Sequence, residues 1–224
     1  MRFSLSVRVV AEFLGTALLV AAVIGSGIMG ERLANGNIAI ALLANTLATG
    51  AALVALILTF GPISGGHFNP VVTLGMALVN DLGWSRVPAY LAAQITGGFT
   101  GAATAHWMFE LPVVSASLHA RHGLGQVISE FVATFGLLCV VWGCTQFRPL
   151  ATPYAVGAYI TAAYWFTAST SFANPAVTLA RAATNTFTGI RPGDVPAFLA
   201  AQLLGALVAT FLFRWMARQA IAES

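Results

Sequence analysis

Two copies of one short motif, His67-Phe68-Asn69-Pro70-Val71-Val72-Thr73 and Phe172-Ala173-Asn174-Pro175-Ala176-Val177-Thr178, interrupt apolar sequence and constrain the fold more than any other feature of the chain. Asn is a favoured helix N-cap, and Pro is preset for the first helical turn. Each motif therefore starts a helix in the middle of a hydrophobic region. Backbone leaves helical geometry at membrane depth only where protein buries it or a watery cavity bathes it, so two such starts imply a lined pathway. The arrangement points to transport rather than catalysis.

Composition places the pathway in a bilayer. Hydrophobic residues make up 58% of the 224 positions and charged residues only 8%, against about 45–50% and about 25% in soluble domains. Apolar stretches run approximately Val7 to Met29, Ile38 to Phe60, Val87 to Met108, Gly125 to Phe147, Ala151 to Thr170 and Val195 to Met216, each near the ~20 residues that span a hydrocarbon core. Six spans result, in a single all-α membrane domain covering 1–224. The first run is too long for a signal-peptide core and lacks a small-residue cleavage site, which keeps it as a span.

A net charge of +3 and pI near 9.3 do not imply nucleic acid, because the ten Arg stand singly at span ends rather than in a cluster. With the N-terminus inside, Arg2, Arg8, Arg86, Arg148, Arg214 and Arg218 are cytoplasmic and Arg32, Arg121, Arg181 and Arg191 external, a mild positive-inside bias. Cys139 and Cys144 are five residues apart on one span and fill core space. Neither disulfide nor metal chemistry follows, and no cofactor is implied.

The chain repeats itself. Val87-Pro88-Ala89-Tyr90-Leu91-Ala92-Ala93-Gln94 returns as Val195-Pro196-Ala197-Phe198-Leu199-Ala200-Ala201-Gln202 at an offset of 108, and the Asn-Pro motifs are offset by 105. Glu12-Phe13 with Thr16 and Glu130-Phe131 with Thr134 open the first and fourth spans. Three spans per copy is an odd number, so copies at about 8–108 and 125–217 form an inverted repeat. The segments Asn69 to Asn80 and Asn174 to Asn185 hold twelve residues each, about 18 Å of helix or roughly half a ~30 Å core. The reading predicts two half-spanning helices whose N-termini meet near the midplane. Gly65-Gly66 suits the tight re-entrant backbone before the first of them.

These motifs, mirrored in a six-span chain, resemble those of the major intrinsic proteins, the aquaporin and aquaglyceroporin family. The resemblance covers about Ala11 to Trp215 and implies a homotetramer in which every protomer carries its own pore through the lipid bilayer. Facing half-helix ends put positive potential at the pore centre. The amides of Asn69 and Asn174 donate hydrogen bonds to a passing solute, since capping occupies only their oxygens and leaves the N–H donors without partners in a dry midplane.

The family's outer constriction is formed by four positions, which count onto this sequence as Thr49, Ala162, Ser171 and Val177. The resemblance fails there. Water-selective relatives carry an aromatic, a His, a small residue and an Arg, and glycerol facilitators two aromatics, a Gly and the Arg. This chain has Val177 in place of the Arg and Ala162 and Thr49 in place of bulkier side chains, so the filter is expected to be wide and weakly polar. The first motif reads Asn-Pro-Val, and Val71 is expected to add apolar bulk beside the midplane.

The resemblance thus implies a passive channel for small neutral solutes, among them glycerol, urea and the undissociated hydroxides of arsenic and antimony, with water. The filter looks like that of bacterial channels associated with arsenic resistance. A mainly water-conducting aquaporin is the alternative, and a secondary transporter a remote one, since no ion site is placed at the midplane. No nucleophile or metal cluster faces a pocket, which argues against an enzyme.

Flanking residues complete the expectation. Arg181 lies one helical turn after Val177, either lending charge to the outer vestibule or binding loop carbonyls and the interface. Glu12 and Glu130 are intramembrane carboxylates, which the resemblance assigns to bracing the re-entrant loops, with Gln94 and Gln202 read likewise. His67 lines the cytoplasmic mouth or supports its loop. His106, His119 and His122 are expected to be surface loop residues, and Gly97 and Gly101 a small-residue pair for close helix packing.

Overall fold

The computed structural model describes the backbone of residues 3–222 and side chains through residue 217. Arg2 and the side chain of Arg218, counted above in the charge bias, lie outside that range. Among the described residues eight α-helices occur in the order α1 (Leu5–Leu33), α2 (Ile38–Ser64), α3 (Pro70–Leu78), α4 (Val87–Met108), α5 (Leu124–Phe147), α6 (Thr152–Phe166), α7 (Pro175–Arg181) and α8 (Val195–Ala222). Four of them (α1, α2, α5 and α8) are long and apolar enough to cross a membrane on length and composition alone. Helix α4 dilutes its apolar residues with Gln94, His106, three Thr and three Gly. Helix α6 stops at Phe166, four residues before the end predicted for that span, because Thr167 turns into extended geometry.

The short helices are shorter than predicted. α3 has nine residues and α7 seven, about 13 Å and 10 Å, because the chain beyond Leu78 and Arg181 turns to reach α4 and α8.

The two halves of the chain pack alike. α1 lies against α2 and α4, and α5 against α6 and α8; α2 meets α6 across the halves. Each short helix bridges them, α3 packing on α4 and α8 and α7 on α8 and α4. A Cβ added to Gly97 or Gly101 would strike the carbonyls of Phe13 or Ala17, so these glycines let α4 touch the backbone of α1.

Polarity is inverted relative to a soluble domain. Glu12, Thr16, Asn45, Gln94, Glu130, Thr134, Gln202 and Thr210 are buried, while Leu14, Leu18, Leu43, Leu47, Leu204 and Phe211 are exposed on the outer helix faces. An apolar rim of this extent requires lipid or another protein surface around it.

Candidate functional site

The site is built from two loops that turn sharply into α3 and α7. Gly65 and Gly66 adopt left-handed φ values of 102° and 62°, and at an offset of 105 Thr170 and Ser171 adopt φ of 60° and 50°. Only the first loop supplies glycine, so the second holds two side-chain-bearing residues where a left-handed backbone costs about 1–2 kcal/mol each. Phe68 and Ala173, one residue before each Asn, share φ 47°.

Buried carboxylates hold these loops. Glu12 Oε1 accepts from Ser64 Oγ at 2.7 Å and His67 N at 2.9 Å, and Oε2 from Phe68 N at 2.7 Å and Gln94 Nε2 at 2.8 Å. Glu130 accepts from Phe172 N at 2.8 Å, Ala173 N at 2.9 Å and Gln202 Nε2 at 2.6 Å. The Gln amides also donate to Thr73 Oγ1 and Thr178 Oγ1, one on each short helix. Charge-assisted bonds of this kind are about twice as strong as neutral ones, which offsets burying the charge.

Each motif Asn caps its helix through its oxygen. Asn69 Oδ1 accepts from Val71 N at 3.1 Å, and Asn174 Oδ1 from Ala176 N at 3.0 Å and Val177 N at 3.3 Å. The amides are not without partners, contrary to the expectation. Asn69 Nδ2 donates to Ala173 O and Asn174 Nδ2 to Phe68 O, both at 2.8 Å, so the loops are tied to each other reciprocally. A primary amide has two N–H groups, so each Asn keeps one N–H beyond its cross-loop bond.

A cavity of about 100 Å³ runs past both Asn residues. Gly65, Gly66, His67 and Met76 border it on the side of the first loop, and Thr49, Tyr164, Ser171, Phe172, Val177 and Arg181 on the side of the second, with apolar walls including Leu19, Leu53, Val72, Leu137 and Ile160. His67 also places Nδ1 3.0 Å from Thr73 Oγ1 and its ring 5.3 Å from that of Tyr90.

Three of the four counted filter positions, Thr49, Ser171 and Val177, border the cavity. Ala162 does not. On α6 the cavity face is Thr152, Val156, Ile160 and Tyr164, residues spaced by four and therefore aligned. Ala162 falls on the opposite face and is exposed on the outside of the helix. Tyr164 takes the place that counting gave to Ala162, and its hydroxyl lies 3.4 Å from Thr49 Oγ1. The second-loop end of the cavity therefore contains an aromatic side chain, Tyr164, where the counted positions gave only Ala162. The four-residue spacing along α6 was the signal that would have found it.

Val71 and Ala176 are completely buried in protein and do not border the cavity; Val72 supplies the apolar wall there. Pro70 and Pro175 open their helices at the first position, buried behind the caps. Arg181 is 1% exposed. It borders the cavity, donates Nε to Thr188 O and sets its Cζ 3.3 Å above the Phe172 ring, while Nη1 has no hydrogen-bond partner. His106, expected at the surface, is buried instead, with Nε2 2.6 Å from Thr184 Oγ1 and Nδ1 against Pro112 O. It pins the loop after α4 to the segment after α7.

A family model described as Major intrinsic protein matches residues 2–149 and 143–224. The chain belongs to the major intrinsic protein family. It is 55% identical over 218 residues to "Aquaglyceroporin AqpS" of Rhizobium meliloti, covering 97% of this chain and 93% of that relative. Identity to "Aquaporin NIP6-1" of Arabidopsis thaliana is 31% over 205 residues, 88% of this chain and 65% of the plant protein. Identity to "Glycerol uptake facilitator protein" of Bacillus subtilis is 36% over 118 residues, 46% of this chain and 42% of that relative. The chain thus spans nearly all of the Rhizobium protein and less than two thirds of the other two. Among solved structures, the aquaglyceroporin from Plasmodium falciparum superposes with a TM-score of 0.75 at 22% identity, covering 94% of this chain and 96% of that one. This major intrinsic protein therefore has the aquaporin fold.

Proposed function

We propose that this major intrinsic protein is a passive transmembrane channel, not an enzyme, for small neutral solutes carrying several hydroxyl or amide groups. Glycerol, urea and the undissociated trihydroxides of arsenic and antimony are the solutes proposed, with water accompanying them. The observation that carries the reading is the cavity bordered by both Asn69 and Asn174, each held by a helix cap and a cross-loop bond with one N–H left over. A solute with an accepting oxygen exchanges a water contact for an amide contact there at little net cost. Apolar walls on the other sides admit its carbon skeleton or metalloid centre but do not rehydrate an ion.

The carboxylates nearest the midplane support a channel over a coupled transporter, because Glu12 and Glu130 are committed to backbone and Gln donors. The names of the Rhizobium and Bacillus relatives favour glycerol-sized solutes over water alone. We further propose that the two halves form an inverted repeat, that four copies assemble through the exposed apolar helix faces, and that both termini are cytoplasmic in a bacterial plasma membrane.

Stopped-flow light scattering on proteoliposomes tests the reading. Glycerol and urea shrink–swell kinetics are expected to accelerate over empty liposomes, and expression in arsenite-sensitive cells lacking an uptake channel is expected to raise arsenic accumulation. Acceleration with water alone would replace the proposal by a water channel.

A further inference from the structure

Counting along the motif leaves this channel without the filter Arg, because Val177 occupies its position. The structure nevertheless brings two guanidinium groups to the same end of the cavity. Arg181 Cζ lies 3.3 Å and Arg121 Cζ 5.0 Å from the centroid of the Phe172 ring, both within the ~6 Å over which a ring face attracts a cation. Arg121 is anchored by Nε to Gly189 O at 2.7 Å and Nη1 to Ser169 O at 3.1 Å.

Among the described residues neither guanidinium has a counter-ion. Among the described residues the one ion pair is Arg191 with Asp194 at 2.8 Å, and Asp194 meets Arg121 only through its backbone N. Glu130 on α5 is taken up by Phe172 N, Ala173 N and Gln202 Nε2. An uncompensated buried cation is costly, and here it is held by a carbonyl and a ring face with Nη1 unbonded. Ser171 Oγ, also on the cavity, is buried and unpartnered as well. Two unused polar groups at one constriction mark a place that a ligand oxygen completes.

We infer that Arg181, steadied by Phe172 and reinforced by Arg121, is the charge filter and hydrogen-bond donor of the outer constriction, standing one helical turn farther from Asn174 than Val177. The inference rests on the channel reading and specifies its selectivity. Arg181 on the cavity, with Arg121 adding like charge from beside the Phe172 ring, opposes cations, while Arg181 and Ser171 engage the oxygens of a neutral polyhydroxylated solute. Displacing the guanidinium by one turn leaves room beside Val177, so charge exclusion and a passage for glycerol-sized molecules coexist.

The test is Arg181→Gln in proteoliposomes, with glycerol flux read by light scattering and methylammonium and proton entry read under a potassium clamp. Glycerol flux is expected to fall while remaining above that of empty liposomes, because Gln keeps an N–H donor, and methylammonium entry to rise by about tenfold, the equivalent of about 1.4 kcal/mol of barrier. Arg181→Lys, which keeps the charge, is expected to stay tight, and Val177→Arg combined with Arg181→Gln to regain exclusion. A glycerol-conducting Arg181→Gln variant as cation-tight as the unmodified channel overturns the inference. Absence of glycerol flux in the unmodified protein overturns the channel reading itself. If Arg181→Gln does not insert, Arg121→Gln substitutes for it, with a smaller leak expected; a fully tight Arg121→Gln variant removes the paired cations from the filter.

Discussion

Glu12→Gln removes one negative charge while preserving side-chain shape, and its cost follows from the donors that converge on the carboxylate. Ser64 Oγ and His67 N meet Oε1, and Phe68 N and Gln94 Nε2 meet Oε2. A glutamine retains one acceptor oxygen, so one of these donor pairs must face an NH₂ group. If that group replaces Oε2, Gln94 adapts by turning its amide, whose Oε1 has no partner at present. Phe68 N cannot adapt, because its φ of 47° is set by the re-entrant turn.

A buried N–H left unpaired costs about 1–3 kcal/mol, and loss of charge roughly halves the remaining bonds. The total is about 2–4 kcal/mol, partly recovered because no charge need be desolvated. For a chain of this size that corresponds to about 5–15 °C in thermal midpoint. Glu130→Gln is expected to lose about 1 kcal/mol less, since three donors rather than four converge there. The assay is thermal aggregation of the detergent-solubilised protein followed by glycerol flux after reconstitution. Both variants are expected to melt earlier and conduct less, Glu12→Gln more severely. Unchanged midpoints and flux would refute the assignment of the carboxylates to loop bracing.

Three further outcomes are expected. Val177→Arg and Thr49→Trp, each adding bulk to the outer constriction, are expected to reduce glycerol flux more than water flux, measured by light scattering; equal flux in folded variants removes both from the filter. Asn69→Asp or Asn174→Asp places an acceptor opposite the carbonyl of Ala173 or Phe68, which the amide now satisfies, and is expected to admit protons into dye-loaded proteoliposomes where the parent does not. Gly101→Leu would drive a side chain into the carbonyl of Ala17; overpacking of about 1–3 kcal/mol or more is expected to lower the thermal midpoint, and an unchanged midpoint would mean that α1 and α4 separate freely.

The sequence alone determined what depends on local order and composition. Long apolar runs require a bilayer, Asn-Pro pairs require helix starts, and the duplicated Glu, Asn and Gln segments require that whatever serves one loop serves the other. Pairings between residues distant in sequence were decided by tertiary structure. No spacing shows that the Asn69 and Asn174 amides bind the opposite loop's carbonyls, because those bonds exist only once the two loops meet. Counting back from the motif reached Ala162, but the channel face of a helix is set by what packs behind it, and packing turned Tyr164 inward. Arg181 was placed one turn beyond Val177 by counting, but its neighbour Arg121 was hidden for the same reason. Arg121 and Arg181 are sixty positions apart in the chain, and only folding places both over the Phe172 ring.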